Sequence, residues 1–324
     1  MDNLRRLGNR ISVSIPRDED RFTGRECPEC EGYFKIEGGT GLKGIGLPCH
    51  CAYCGHIAQH DQFATREQIE YVKSVAMRRV ADAIFKDLKG LEFDQKPRGA
   101  FGFGISLKVK QGDPIPVRYY REAKLETEVI CADCTLRYSV YGVFAYCPDC
   151  GKHNSRQILE KNFEVIGKML ALAAVSDIEM AERLVQNALE DCVSAFDGFG
   201  REVCRIFKSV AIDQSKVDKL SFQNVAAARS AVSEMFGIDL CADVTPDDWQ
   251  STLRSFQKRH LFAHKMGVVD DEYVKRSGDT QAVVGRKVAL RAEEVRALVD
   301  VQRKIASSLF DRLQQSKTCA NGVS

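Results

Sequence analysis

No apolar run in the 324-residue chain approaches the ~20 residues that a membrane-spanning helix requires, so no membrane partner is expected. The stretch Met1 to Gln62 also lacks the hydrophobic segment of a secretory leader, and a cytoplasmic location is expected. Charge of one sign is scarce: 47 Lys and Arg stand against 45 Asp and Glu, a net of +2. That balance excludes a chain-wide field for nucleic acid, so any such contact has to come from a local patch. There is no short-period repeat. No phosphate loop is present either. Gly38 to Gly44 is glycine-rich, but Lys43 is not in Walker spacing, and the stretch reads as a flexible loop. Phe101-Gly102-Phe103-Gly104 reads as a strand entry.

Cysteine is abundant instead. Nine of the 13 lie in tight clusters before residue 151, and Cys192, Cys204, Cys241 and Cys319 are scattered later. In a reducing compartment, clustered cysteine points to metal ligation and not to disulfides. One spacing occurs twice: Cys27-x2-Cys30 followed by Cys51-x2-Cys54, and Cys131-x2-Cys134 followed by Cys147-x2-Cys150. Each pair sets two thiolates on one ion from a tight turn, and two such turns close a tetrahedral zinc site. Two structural Zn ions are therefore expected as cofactors. Cys49 is a possible alternative ligand in the first site, with His50 beside it; only Cys51 and Cys54 repeat the x2 spacing. Gly55 and Gly151 directly follow the last ligand of each site, where such turns often need a glycine conformation. The scattered cysteines read as small core residues.

The chain is long enough for two or three domains at a prior of ~150 residues each. The expected fold is α+β and multidomain, with two small β zinc ribbons before an all-α bundle. The divisions are 1–62, a first ribbon; 63–98, a linking helix; 99–152, strands and the second ribbon; and 153–324, the helical bundle. In the linking helix, Ile69, Val72, Ala76, Val80, Ile84 and Leu88 recur every three or four residues as one apolar stripe. Residues 96–99 read as a breaker, 104–148 as short strands and Gly112-Asp113-Pro114 as a turn. Helices are expected at 155–175, at 177–210 with a kink near Gly198 and Gly200, and at 222–236, 246–266 and 291–314. Thr245-Pro246-Asp247-Asp248 has the chemistry of a helix start. Asp191 and Asp197 read as exposed helix faces.

Within the bundle, Arg259-His260-Leu261-Phe262-Ala263-His264 precedes Gly267-Val268-Val269-Asp270-Asp271-Glu272-Tyr273, then Gly278, then Val284 to Val288 and a final helix. Arg followed after four residues by His, with this context, resembles the HEPN superfamily of helical domains over roughly residues 153–315. That resemblance implies a metal-independent endoribonuclease acting as a homodimer through the helical domain. Arg259 would hold the scissile phosphate, His264 would act as general acid/base and His260 would orient or assist, leaving a 2′,3′-cyclic phosphate. It also implies RNA as partner, a toxin–antitoxin or antiviral defence setting, and a possible protein partner or antitoxin. The residue types suit the chemistry independently. His exchanges protons with a reference pKa of ~6.5, and Arg offers a planar fork to phosphate oxygens. A His near a helix C-terminus capped at Gly267 would be favoured as imidazolium by ~0.3–1 kcal/mol when exposed. Helical geometry sets a condition: positions 259 and 264 lie about 140° apart, whereas 260 and 264 share a face. Residues 251–290 carry eight Lys or Arg against four Asp or Glu, a mild basic bias. The alternatives are a non-catalytic dimerising sensor that binds RNA or a nucleotide, and a DNA-binding regulator using the ribbons with Arg5, Arg6 and Arg10. His260 and His264 as half of a metal site lack an evident third ligand.

Overall fold

The computed structural model describes residues 2–42, 47–95 and 105–321. They form two compact units, Met1–His153 and Asn154–Ser324, each with its own core. The expected breaker at 96–99, the strand entry at 101–104 and the end of the glycine-rich loop at 43–44 lie outside the described residues.

The first unit opens with a short helix α1 (Asp2–Leu7), followed by the strands β1 (Phe22–Glu26) and β2 (Tyr33–Glu37). Next come β3 (Cys49–His50), β4 (Ile57–Ala58) and the long helix α2 (Arg66–Lys89). A small hairpin, β5 (Phe93–Gln95) with β6 (Ile105–Leu107), precedes a second principal hairpin, β7 (Thr127–Ile130) with β8 (Arg137–Val140). The two principal hairpins do not stand apart. β2 pairs antiparallel with β8, giving one four-stranded sheet in the order β1-β2-β8-β7. Phe34, Ile36, Val129, Leu136, Tyr138 and Val140 from both hairpins share a core with Phe63 and six of the clustered cysteines.

Helix α2 starts where its chemistry dictates. Thr65 accepts from the Gln68 N–H and Gln68 returns a bond to the Thr65 N–H, a complete capping box. Its apolar stripe is not the buried face. Gln68, Ser74 and Ala83 are buried, while Ile69, Ile84 and Leu88 are exposed. Polar anchors set the rotation of this helix: Gln68 donates to the Gly24 carbonyl, and Ser74 accepts from the Arg118 N–H. The expected turn at 112–114 and its flanking strands are absent. Residues 108–126 run without regular structure, because Pro114 and Pro116 have no N–H for a ladder.

The second unit is helical. Helix α3 (Ser155–Ala173) and α4 (Ile178–Ile206, capped by Asp177) pack together; α5 (Gln214–Val217) and α6 (Val225–Phe236) follow. Then come α7 (Pro246–Lys265), α8 (Asp271–Ser277) and α9 (Ala292–Asn321). Thr245 caps α7 through the Asp248 N–H with Pro246 in its first turn, as its sequence requires. The core joins Phe163, Ile166 and Leu170 to Val193, Phe196 and Val203 and to Val295, Leu298 and Leu309. Helix α4 runs unbroken through Gly198 and Gly200, so the expected kink is absent. Gly200 serves packing: a Cβ there would lie 2.6 Å from the Phe222 ring. Asp197 is buried, not exposed; its carboxylate accepts from the Phe222 N–H and the Ser221 hydroxyl. Cys192 and Cys204 are core thiols, whereas Cys319 is exposed. Among the described residues no helix is long and apolar enough to cross a membrane.

Candidate functional site

Four turns in the first unit share one backbone pattern. The first cysteine of each turn donates its N–H to the carbonyl five residues on: Cys27 to Gly32, Cys51 to His56, Cys131 to Leu136 and Cys147 to Lys152. The residue four places on returns its N–H to that cysteine's carbonyl, from Glu31, Gly55, Thr135 and Gly151. All four of those residues have positive φ, between 57° and 73°. Glycine adopts this conformation freely at Gly55 and Gly151; Glu31 and Thr135 hold it against their own Cβ.

These turns converge in pairs. Cys27, Cys30, Cys51 and Cys54 place their sulfurs within 4.8 Å of one another, and so do Cys131, Cys134, Cys147 and Cys150. Cross-pair S···S distances are 3.7 Å (Cys27–Cys54), 3.6 Å (Cys30–Cys51), 3.7 Å (Cys131–Cys150) and 3.4 Å (Cys134–Cys147). A tetrahedron with metal–sulfur bonds of ~2.3 Å has edges of about 3.8 Å, so the residues fit a metal ion. None of the cysteines is disulfide-bonded. Backbone N–H groups also point at the sulfurs, from Glu29 to Cys27 Sγ at 3.4 Å and from Tyr53 to Cys51 Sγ at 3.3 Å. Such donors stabilise thiolate charge. Two groups of four cysteines can thus hold two metal ions. Cys49 is not a member of either: it sits on β3, fully buried, and burial pushes its thiol up to about 12.

The spacing that occurs twice in the sequence folds into two sites related by an internal two-fold. Cys27 corresponds to Cys131, an offset of 104 residues, so Lys35 corresponds to Ser139. Those two corresponding residues are themselves paired across β2 and β8, as a local dyad requires. The second turns correspond at an offset of 96, Cys51 to Cys147. They exchange reciprocal bonds, His50 N–H to the Pro148 carbonyl and Tyr146 N–H to the Ala52 carbonyl, both at 2.8 Å. The Tyr146 ring lies against Gly55, and the corresponding His50 ring lies against Gly151. Lys35, buried at the dyad, pairs with Asp18 at 2.7 Å and lies over the Phe22 ring.

In the second unit, α7 carries the Arg-His motif and divides it. Arg259 turns toward α4 and makes a two-pronged bond to Glu190, at 2.8 and 2.6 Å, with Gln223 at 3.4 Å. Its side chain is 14% exposed. His260 and His264 share the outward face, both exposed, with ring centroids 4.8 Å apart. Partial burial, then the neighbouring His264, hold His260 below the usual imidazole range. The helix ends one residue earlier than expected: Met266, not Gly267, is the left-handed cap, and the Gly267 N–H closes on Leu261. The segment 267–269 then pairs with 285–288 through Val269 to Arg286, Gly285 to Val269 and Val288 to Gly267. A small core of Leu261, Val269, Tyr273 and Val288 fixes this layer behind the histidines. Lys265 is tied to Asp270, which also caps α8. Sequence reasoning missed Glu190, which has no spacing relationship to Arg259; only the helix packing brings it there.

Comparison with protein-family models, with curated proteins and with solved structures finds no match.

Proposed function

We propose that this is a zinc-ribbon protein whose helical unit cleaves RNA without a metal in the reaction. All-thiolate tetrahedral sites of these dimensions suit zinc, and a closed four-ligand site gives it a structural role. The nuclease reading rests on one observation above all: the exposed pair His260 and His264, 4.8 Å apart, with an arginine directly before the first of them. His260, depressed and therefore neutral near pH 7, takes the proton of the RNA 2′-OH. The 2′-oxygen attacks phosphorus, and His264 delivers a proton to the departing 5′-oxygen, leaving a 2′,3′-cyclic phosphate and a 5′-hydroxyl. Arg259 neutralises the phosphate once it exchanges Glu190 for it. The HEPN resemblance supports Arg259 on the phosphate and His264 in proton transfer, along with a homodimer and a defence setting, but gives His260 only an orienting or assisting part.

The Arg259–Glu190 fork favours a second reading, in which Arg259 is structural and the unit is a non-catalytic RNA- or nucleotide-binding sensor. Ribbon-mediated DNA binding is the weaker alternative, because the metal-site turns carry Glu29, Glu31, Asp133 and Asp149, acids that repel a phosphate backbone. The test is cleavage of a mixed RNA pool, with EDTA added immediately before the assay, by wild type, His264→Ala, His260→Ala and Glu190→Gln. Cleavage by wild type with cyclic-phosphate ends, lost in both histidine variants, carries the nuclease reading. RNA bound but left intact by wild type and by Glu190→Gln transfers the assignment to the binding module.

A further inference from the structure

The end of α7 and the start of α8 gather metal-ligating side chains outside the cysteine sites. His260 and His264 stand one turn apart, both exposed, with ring centroids 4.8 Å apart and ring planes at 53°. Two imidazoles at this spacing on one helix face can share a zinc ion. The separation fits. With a metal–nitrogen bond of ~2.0–2.1 Å, an ion in the plane of each ring sits about 3.2 Å from its centre, and a tetrahedral angle then sets the two centres about 5 Å apart. The third donor, which the sequence spacing does not reveal, comes from α8. That helix packs on α7 and is fixed there by buried Tyr273 beside Leu261, Val269 and Val288. Glu272 precedes Tyr273 in the first turn of α8 and is exposed. Its carboxylate lies 3.8 Å from Nζ of Lys265, the neighbour of His264, and its negative charge acts on the His260 ring. Arg276 holds it at 2.8 Å. Both ties are exposed ion pairs, which are weak, so a rotamer change frees the carboxylate at little cost. Lys265 keeps Asp270 as its partner when Glu272 turns away.

We infer that His260, His264 and Glu272 bind a zinc ion of their own, apart from the two cysteine sites, and that this ion blocks RNA cleavage. The block rests on the nuclease reading; the site itself does not. Two imidazole nitrogens and a carboxylate suit zinc and leave a fourth position to water. Such an open, exposed site binds more weakly than a closed all-thiolate one, so it fills after the cysteine sites and empties before them. An ion on both rings takes the nitrogen of His260 that accepts the 2′-OH proton and the nitrogen of His264 that delivers one to the leaving oxygen. Free zinc thereby acts as a brake on the same pair that performs the proton transfers.

Calorimetric titration of the full chain, its cysteine sites already filled with zinc, with further zinc tests the site. Wild type is expected to take up one more equivalent in the micromolar range. His260→Ala and His264→Ala, both at exposed positions, are expected to take up none while keeping the ions of the cysteine sites. Glu272→Gln is expected to weaken uptake roughly tenfold or more, since even the partners of metal ligands cost ~10–100-fold when lost. An extra equivalent retained by both histidine variants, or absent from wild type, would overturn the site. Unchanged affinity in Glu272→Gln would overturn the carboxylate's part in it. RNA cleavage by wild type over the same zinc range tests the block separately. Loss of cleavage in step with the extra equivalent, reversed by brief EDTA treatment, supports it. Zinc bound through both histidines with cleavage undiminished would leave the metal site standing and overturn both the block and the histidines as the catalytic pair. A wild type that cleaves no RNA at any zinc level would overturn the nuclease reading and the block with it, while the titration still decides the site.

Discussion

The four metal-site turns form an internal experiment on left-handed backbone. Glu31 and Thr135 are exposed residues held at φ 57° and 65°, where Gly55 and Gly151 use glycine at 73° and 70°. Left-handed conformation costs an L-residue roughly 1–2 kcal/mol. Glycine regains that, less about 0.5–1 kcal/mol for its extra freedom in the unfolded chain. Glu31→Gly is therefore expected to stabilise the first unit by about 0.5 kcal/mol, and Thr135→Gly, relieving a β-branched side chain, by about 1 kcal/mol. The reverse changes differ in a way the packing dictates. A Cβ at Gly55 meets the Tyr146 ring at 3.4 Å, ordinary contact, so Gly55→Ala bears backbone strain alone. At Gly151 a Cβ would lie 2.8 Å from the His50 ring, so Gly151→Ala adds overpacking of about 1–3 kcal/mol. The assay is release of bound metal to a colorimetric chelator along a guanidinium titration, which reports the first unit alone; midpoint shifts convert through the slope. A lower midpoint for Thr135→Gly, or a larger loss at Gly55 than at Gly151, would refute the reasoning.

Metal content separates ligands from bystanders: Cys51→Ser is expected to lose the ion of its own site and to weaken the neighbouring one, leaving less than one ion per chain, whereas Cys49→Ala keeps two, by metal analysis of freshly purified protein. Asp197→Ala leaves the buried Phe222 N–H without an acceptor and is expected to cost the helical unit about 1–3 kcal/mol by calorimetry. If cleavage runs through His260, its base form is lost only as pH falls through a depressed pKa. The acid limb of the pH–rate profile should then lie below about 6.5 and disappear in any residual activity of His260→Ala. An acid limb above that value would contradict the assignment of His260 as base.

What the sequence made legible was local. The x2 cysteine spacings need only a tight turn, and the Thr245 cap only a hydroxyl three residues before an N–H. The division of the Arg-His motif also followed from residues per turn: positions 260 and 264 fall together, and 259 faces elsewhere. Long-range choices were not legible. The pairing of Lys35 with Ser139 spans 104 residues and involves no shared residue type. The rotation of α2 followed Gln68 and Ser74 instead of its aliphatic stripe, because buried hydrogen bonds to Gly24 and Arg118 fix the face. Asp197 looked like one more helix carboxylate until Phe222 folded back over Gly200 and offered its N–H.

The reciprocal bonds between 50–52 and 146–148 make the two metal sites one clasp. The strand partner of each hairpin is the other hairpin, and each second turn is braced by the other's backbone. An ion lost from either site loosens the scaffold that shapes its neighbour. The pair should fill and empty together, so the unit responds to falling metal supply or to thiol oxidation as a threshold and not as a graded loss.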